Sequence, residues 1–477
     1  MNITSTHFVL FTLLALGVYY LLPRRKQNYW LLSLSYIFCI TWAWQFALIL
    51  ALLTGANFAL AKQLHKDGQQ RRRFLWLGIG LNVLALVLFR MADFFMPEAL
   101  ALLTGLGVAT EAGGLQFLIP IGLSYYILEI ISYLVDVHRG QIRATTDFVD
   151  FALYLAYFPK LIAGPIERAS SFLPKLANPR FVGNDMLARS FTLIVIGLVR
   201  KLLIADILAA SIFLDVFVTP ARYTPPELLG WLLIYAFVLY NDFAGYTNIV
   251  RGVSGLFGIE LSPNFQQPYF ARNFTEFWNR WHITLSHWLR DYIYLPLART
   301  LLRRNRGRRK LLNFAVPALT TMLISGLWHG ISGHMLLWGG LHGLYQIVER
   351  IPSLWRPTVP PQRQPGWRQV MAATLIFTLV ILAWVPFRME LPEAVEFWRG
   401  LLNWSSFAIR YRRLFLVVPL IIGAIGLDWI QYHYRDEVIY LRWPRLAQAF
   451  CLAVVLLLLF ISTGGEGVGE PFVYQGF

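Results

Sequence analysis

The sequence predicts an all-α membrane protein, a polytopic bundle of apolar helices. Of the 477 residues, 57% are hydrophobic and only 14% are charged, whereas about a quarter of the residues of a soluble protein are charged. Several stretches reach the length of about 20 largely apolar residues that spans the hydrocarbon core of a bilayer. The clearest are 8–22, 74–91, 115–137, 228–241, 311–327, 369–387, 414–431 and 446–462, and the shorter stretches 29–40 and 151–166 are expected to form half-helices or re-entrant segments.

The basic residues favour a membrane topology over nucleic-acid binding. Although the net charge is +16, Lys and Arg cluster in short runs beside the apolar stretches, at 24–26, 62–73 and 303–310. This is the positive-inside pattern, in which such runs mark cytoplasmic loops. We therefore expect a multi-pass protein in contact with membrane lipids and no nucleic-acid partner. The run 303–310 then lies on the cytoplasmic side.

No repeat of 20–50 residues occurs, and no stretch is long and polar enough to form a soluble domain. Residues 1–477 are expected to form one integral-membrane domain. The segment 262–299 is both polar and aromatic, so it is predicted as an amphipathic helix at the interface or inside the bundle. The Pro- and Gly-rich segment 157–168 predicts a re-entrant turn, because irregular backbone at membrane depth needs surrounding protein or a water-filled cavity.

Five of the nine histidines fall in two groups, His282 with His287 and then His329 with His334 and His342. His329 lies in an uncharged stretch between closely spaced glycines, and titratable groups inside a membrane are functional candidates. Three interpretations are open: a structural histidine bonded to a neighbouring helix, a metal ligand, or a general base. Because the His pairs are five residues apart rather than four and no cysteine pair is present, no metal ion is predicted.

The general-base interpretation has a definite chemistry. Transfer of an acyl group from a thioester to a hydroxyl requires removal of the hydroxyl proton, and an imidazole suits this at neutral pH. A second polar group must orient the base or hold the developing oxyanion. The sequence offers His282 as this partner of His329.

Four stretches, all within residues 117–345, resemble the membrane-bound O-acyltransferase family, in particular its bacterial alginate O-acetylase branch. They are 120–140 (beginning PIGLSYY), 157–166 (YFPKLIAGPI), 240–246 with 277–292 (YNDFAGY, FWNRWHITLS and WLRDY), and 325–343 (SGLWHG and LWGGLHG). The resemblance implies roughly a dozen membrane helices around a central tunnel. It also implies a multi-pass protein of the bacterial inner membrane. The family's catalytic histidine falls on His329 and its second histidine on His282.

The same resemblance implies further site residues. The side chains expected to line the tunnel or contact substrate are Trp328, Asp291, Arg290, Asn279 and Glu129. Glu129 departs from the neutral residue expected at its position, and an interhelical hydrogen bond is an equal alternative for it.

The C-terminal tail 471–477 resembles the aromatic motif that ends alginate-type members. There Tyr474 is the candidate to carry the acyl group as a phenol ester, which leaves more readily than an alkyl ester. A structural aromatic tail at the membrane interface is the alternative. The tail also differs from the expected motif, since Gln475 and Gly476 replace Phe-Gln.

The donor, the partner and the acceptor follow from the resemblance. Acetyl-CoA, or an acyl-carrier thioester, is expected as donor substrate, with no bound cofactor. A basic run is expected to attract the phosphates of acetyl-CoA or an acidic carrier protein. The alternative is that this run only sets the membrane topology. It consists of Arg303, Arg304, Arg306, Arg308 and Arg309. A periplasmic SGNH-type acetyltransferase is the expected partner, which modifies an exported polysaccharide such as alginate. Peptidoglycan or cellulose O-acetylation, D-alanyl transfer to teichoic acid, and a non-catalytic polysaccharide channel or flippase are the alternatives.

Overall fold

The computed structural model describes residues 1–64, 69–91, 120–355, 365–404, 406–411 and 413–463. These residues form helices and connecting segments, with no β-strand among them. Seven helices of this part of the chain are long and apolar enough to cross a membrane. They are Trp44–Gln63, Gln69–Arg90, Pro225–Leu256, Lys310–His329, Gly366–Arg388, Arg413–Tyr434 and Arg445–Ser462. The prediction of an all-α, multi-pass membrane protein is confirmed.

The chain packs as two compact units. The first is built from Leu10–Phe181 with Phe257–Ile259, and the second mainly from Val182–Leu256 and the chain from Glu260 onward. The helices of the first unit, which holds most of α1, are α1 Thr6–Leu21, α2 Arg24–Ile40, α3 Trp44–Gln63, α4 Gln69–Arg90, α5 Leu123–His138, α6 Phe148–Ala156 and α7 Ala169–Ala177. The prediction of a single domain over 1–477 stays a prediction.

The helices of the second unit carry the candidate site. They are α8 Asn184–Leu198, α9 Asp206–Ser211, α10 Pro225–Leu256, α11 Phe274–Trp278, α12 Ile283–Leu289, α13 Leu295–Arg304, α14 Lys310–His329, α15 Gly333–Trp355, α16 Gly366–Arg388, α17 Leu391–Leu402, α18 Arg413–Leu416, α19 Val418–Tyr434 and α20 Arg445–Thr463. Two π-helical segments, Val199–Ala205 and Arg290–Tyr294, interrupt this series.

In the first unit, a buried non-helical turn follows α6 and packs against the start of α5. Residues 157–167 are buried along their whole length, and the re-entrant turn predicted over 157–168 stays a prediction. Gly122 permits the contact, since its φ is +72° and a Cβ there would lie 1.9 Å from the Leu161 carbonyl oxygen. Glu129 on α5 fixes the turn, accepting from the Lys160 ammonium at 2.5 Å and from the Glu167 backbone N–H at 2.9 Å.

In the second unit, buried charges tie the first π-helical segment to α10 and α19. Arg200 donates to Asn241 at 2.8 Å and pairs with Asp428, to which Tyr240 also donates. Lys201 pairs with Asp242 at 2.9 Å and with Asp206 at 2.7 Å. Each charge therefore has a partner of opposite sign, which buried charges require.

Helices α14 and α15 pack closely as a hairpin because glycines replace side chains at their contact. A Cβ on Gly326 would lie 2.2 Å from the Met335 carbonyl oxygen, and one on Gly339 would lie 2.3 Å from that of Met322. Only glycine leaves room for this backbone approach. The hairpin therefore presents the end of α14, where His329 lies, next to the first turns of α15.

Three elements differ from the sequence prediction. Segment 262–299 is not one amphipathic helix but a series of short pieces, because His282 adopts a left-handed backbone conformation and the π-helical segment follows α12. Helix α10 extends far beyond the predicted 228–241, since its polar residues lie buried in protein rather than in lipid. The membrane-length helix α3 was missing from the predicted stretches.

Candidate active site

His329 is the last residue of α14 and lies inside a ring of aromatic side chains. Its own side chain is almost fully buried, with 5% of the residue exposed. Its ring centroid lies 4.8 Å from Trp328, 5.2 Å from Trp338 and 5.3 Å from Phe387, all in edge-to-face contact. We call this enclosure, which Trp384 extends by contacts to Trp338 and Phe387, the aromatic chamber.

The position of His329 in its helix suits a proton acceptor. The carboxyl end of an α-helix carries partial negative charge on its free carbonyl groups, and positive charge is favoured there. An imidazole that takes up a proton during a reaction becomes positive at this point. Edge-to-face packing on Trp328 and Trp338 holds the ring in place.

His282 is held by Asn264 in an unusual backbone conformation. Its φ of 42° lies in the left-handed region, which costs a non-glycine residue about 1–3 kcal/mol and is concentrated at functional sites. The Asn264 amide oxygen accepts from the Thr284 backbone N–H at 3.1 Å and lies 3.3 Å from His282 Nδ1. Because an amide oxygen only accepts, Nδ1 carries the proton and Nε2 is the acceptor nitrogen.

Burial affects the charge of His282. It is removed from water, and this desolvation lowers the pKa of its imidazole to about 3. A neutral imidazole at physiological pH donates and accepts hydrogen bonds but does not supply a positive charge. The structure therefore suits His282 to orientation rather than to charge stabilisation.

Trp328 and Phe265 connect His282 to its surroundings. The Trp328 ring lies 6.2 Å from the ring of His282 and also contacts His329, so the two histidines share this neighbour. On the other side, the Phe265 ring stacks at 6.5 Å from His282. Phe265 is in turn part of the wall of a large cavity.

This cavity has a volume of about 910 Å³ and a wall rich in guanidinium groups. We call it the arginine-lined cavity. Its wall includes Arg189, Arg251, Arg272, Arg280 and Arg435, the acidic residues Glu260, Glu276, Asp436 and Glu437, and Phe265, Asn279, Gln431 and Tyr432. Phosphate groups are bound by such sets of arginines, because the planar guanidinium forms paired hydrogen bonds to their oxygens.

Two carboxylates hold four of these five arginines in place. Glu437 accepts from Arg251 at 2.7 and 2.9 Å and also pairs with Arg189. Glu276 accepts from Arg280 at 2.7 Å and from Arg272 at 3.0 Å. Burial alone would raise the pKa of both carboxyl groups, but these hydrogen bonds and charges outweigh it and lower the pKa of each.

The structure brings together some of the predicted site residues and separates others. Trp328 and His329 lie in the chamber, with His282 next to Trp328, and Asn279 lines the arginine-lined cavity. Arg290 and Asp291 pair with each other at 2.9 Å in the second π-helical segment. Glu129 belongs to the first unit, where it pairs with Lys160 of the buried turn after α6 rather than with a residue of another helix.

The remaining predicted residues lie apart from the chamber or outside the described part. The basic residues Arg303, Arg304, Arg306, Arg308 and Arg309 are exposed to solvent. Tyr474 lies outside the described residues, so its role as an acyl carrier stays a prediction. Within the described ranges, no group of three or more His, Cys, Asp or Glu side chains has the arrangement of a metal site.

Asn264 and Trp338 are not among the site residues predicted from the sequence, and His342 appears there only as a member of the second histidine group. Trp338 and His342 are four residues apart on α15, the spacing that places side chains on one helix face. That spacing is the signal in the sequence that connects them. Asn264 is 18 residues before His282, so no local pattern connects it to the site.

Comparison with known proteins identifies the family to which this chain is similar. The sequence model of the membrane-bound O-acyltransferase family matches residues 131–387, which include α14, α15, His282 and His329. The chain is 37% identical to a probable alginate O-acetylase of Azotobacter vinelandii, over 81% of this chain and 74% of that protein. It is 29% identical to a peptidoglycan O-acetyltransferase of Helicobacter pylori, over 85% and 80% of the two chains.

A more distant similarity, 26% identity, connects it to a teichoic acid D-alanyltransferase of Streptococcus thermophilus, over 62% of this chain and 75% of that protein. The family match covers more than half of the chain, and the similarity to the alginate O-acetylase extends over most of both proteins. The protein is an acyltransferase enzyme with several membrane-spanning helices. The chain belongs to the membrane-bound O-acyltransferase family.

Proposed function

We propose that this protein transfers an acetyl group from a cytoplasmic thioester donor across the bacterial inner membrane for O-acetylation of an exported polysaccharide such as alginate. The observation that carries the proposal is the environment of His329, a buried imidazole at a helix end inside an aromatic chamber. The similarity to alginate O-acetylases supports the choice of an acetyl group and a polysaccharide.

The arginine-lined cavity supports a phosphate-bearing donor such as acetyl-CoA. Its guanidinium groups suit the nucleotide phosphates, and its volume of about 910 Å³ lies at the upper end of ligand pockets. Phe265 belongs to the cavity wall and stacks on His282. A thioester held in the cavity by its phosphates would therefore have its acyl end directed toward the histidines.

The reaction needs one base and one acceptor. The acceptor hydroxyl oxygen attacks the thioester carbonyl carbon while His329 takes the hydroxyl proton. The C–S bond then breaks, and the leaving thiolate receives the proton from His329. His282, held through Asn264, positions this machinery through their shared contact with Trp328.

Beyond the membrane, the acetyl group passes to Tyr474 or directly to a periplasmic SGNH-type partner that places it on the polymer. Purified protein incubated with radiolabelled acetyl-CoA tests the covalent relay. Label retained by the wild type and lost with Tyr474→Phe supports the relay, and equal label in both contradicts it. A channel or flippase would acquire no label and would release no thiol.

The same-class alternatives are acetylation of peptidoglycan or cellulose and D-alanyl transfer to teichoic acid. Greater identity to the alginate O-acetylase than to the peptidoglycan and teichoic acid relatives favours an alginate-like polymer. Assay of each polymer with labelled acetyl and labelled D-alanine donors distinguishes these alternatives.

Replacement of His329 tests the proposal in cells. The His329→Ala variant should insert into the membrane at wild-type levels and leave the exported polysaccharide without O-acetyl groups. His7→Ala is a matched control, because His7 is an exposed histidine near the start of α1. Wild-type acetylation in the His329→Ala strain would refute the proposal.

A further inference from the structure

Helix α15 carries two buried polar side chains, the first of them in contact with His329, that have no hydrogen-bond partner among the described residues. They are Trp338, with its indole N–H, and His342, with both ring nitrogens. Trp338 is 1% exposed and His342 is fully buried. The large majority of buried side-chain polar atoms are hydrogen-bonded, because an unsatisfied one has lost its hydrogen bonds to water without replacement. Such groups therefore require an explanation.

The two side chains are neighbours of each other, and Trp338 is also a neighbour of His329. They are one helical turn apart on the same face of α15, and their rings lie 5.1 Å apart. Trp338 is also in edge-to-face contact with His329, at 5.2 Å and an interplanar angle of 87°. The described residues thus place one potential donor against the candidate base and a second donor one helical turn further along α15.

Their chemistry matches one need of the reaction that His329 does not meet. An indole has one N–H donor and no acceptor, and a neutral imidazole has one N–H donor in either tautomer. Attack on a thioester carbonyl moves the C=O electron pair onto oxygen, and donors fixed in a water-poor site stabilise this charge strongly. The chamber walls of Trp384 and Phe387 provide such a site.

We propose that the Trp338 indole N–H and the His342 imidazole N–H form the oxyanion hole of this enzyme. The acceptor hydroxyl oxygen bonds to the carbonyl carbon, its proton passes to His329, and the two donors bind the resulting oxyanion. When the oxyanion collapses, the C–S bond breaks and the thiolate takes the proton back from His329. The inference rests on the proposed function, since it requires acyl transfer at His329.

The test compares variants that remove one donor and keep a planar ring. Trp338→Phe and His342→Phe are assayed in lipid nanodiscs by thiol release from acetyl-CoA, with the periplasmic SGNH-type partner present as acceptor. Removal of one oxyanion-hole donor lowers kcat by about 10²–10³-fold. We expect such a loss for each variant, with KM for acetyl-CoA within about twofold. His342→Gln retains an N–H donor and should recover part of the activity.

Trp231→Phe is the matched control. Trp231 is fully buried and its indole nitrogen also has no partner among the described residues, but its ring packs on Phe213 and Tyr411. This variant should keep wild-type kcat. A kcat within threefold of wild type in Trp338→Phe and His342→Phe would overturn the inference, as would an equal loss in Trp231→Phe.

The His329→Ala variant separates this inference from the proposed function. If His329→Ala is inactive while both donor variants are active, only the oxyanion hole is refuted. If His329→Ala itself releases thiol at the wild-type rate, the proposed function fails. Thermal unfolding of each variant identifies one that has lost its fold, and His342→Gln then carries the test.

Discussion

The aromatic chamber and the arginine-lined cavity belong to the same unit, yet apolar side chains line the first and charged side chains line the second. Around His329 the neighbours are Trp328, Trp338 and Phe387, all apolar rings with few polar atoms. The wall of the cavity instead alternates guanidinium and carboxylate groups. Under the proposed function the two regions have different tasks: the charged wall binds the donor, and the low polarity of the chamber strengthens the interactions of the reacting atoms.

A buried network is connected to both regions, directly to the cavity wall and through Trp281 to the chamber. Asp428 pairs with Arg200 and accepts from Tyr240 at 3.1 Å, and the Tyr240 ring lies 6.2 Å from Trp281, which packs on Trp384 of the chamber. On the other side, Arg200 donates to Gln431 of the cavity wall at 3.2 Å. The network therefore fixes the chamber and the cavity relative to each other.

The largest expected effect comes from breaking this network. Asp428→Ala leaves the Arg200 charge buried without its carboxylate, which costs about 3–5 kcal/mol of folding stability. We expect a strongly lowered unfolding temperature in detergent and loss of activity. Glu390→Ala is the control, because that carboxylate is exposed in its pair with His334 and such pairs contribute about 0–1 kcal/mol. Equal unfolding temperatures for the two variants would contradict the assigned role.

A smaller effect is expected at the donor site. Arg280→Gln should raise KM for acetyl-CoA about 10-fold, because a hydrogen bond to a charged group contributes about 1.5–3 kcal/mol, while kcat stays close to wild type. Acetyl-pantetheine lacks the nucleotide phosphates, so its KM should be the same for wild type and for Arg280→Gln. Replacement of the exposed Arg303, Arg304 and Arg306 by Gln decides between the two basic regions. A larger increase in KM for this triple variant than for Arg280→Gln would place the donor-binding site at the basic run 303–310 instead of the arginine-lined cavity.

The smallest effect concerns pH. The pKa of Glu437 is lowered in the folded protein, since its hydrogen bonds and the charges of Arg251 and Arg189 outweigh burial. Its stabilisation is therefore complete above the unfolded pKa of about 4.3 and is lost as pH falls through the lower, folded pKa. Wild type should unfold at a higher temperature than Glu437→Gln at pH 7, and the difference should vanish in acid. A constant difference at every pH would exclude this origin.

The helical fold follows largely from the sequence because the solvent is lipid. Apolar stretches of membrane length predicted most of the long helices, including α14, α16 and α20. The predicted helix bounds were wrong where other protein segments, rather than lipid, surround the chain. The polar residues Asn241 and Asp242 made α10 look short, although their partners Arg200 and Lys201 satisfy them inside the unit.

The site was only partly predictable for a similar reason. His329 and His282 follow from their motifs, but the side chains that position them come from distant parts of the chain. Asn264 reaches His282 from 18 residues away, and Phe387 reaches His329 from a different helix. The arginine-lined cavity likewise joins Arg189, Arg280 and Glu437, which no local spacing connects.

The central claim is that His329 is the base of thioester chemistry in a water-poor chamber. Its most direct test is single-turnover thiol release from acetyl-CoA by purified wild type and His329→Ala in lipid nanodiscs, together with acetyl-CoA binding. General-base catalysis contributes about 10²–10⁴-fold, so the variant should be slower by that factor while it binds the donor within about twofold of wild type. Thiol release at the wild-type rate in His329→Ala would contradict the account.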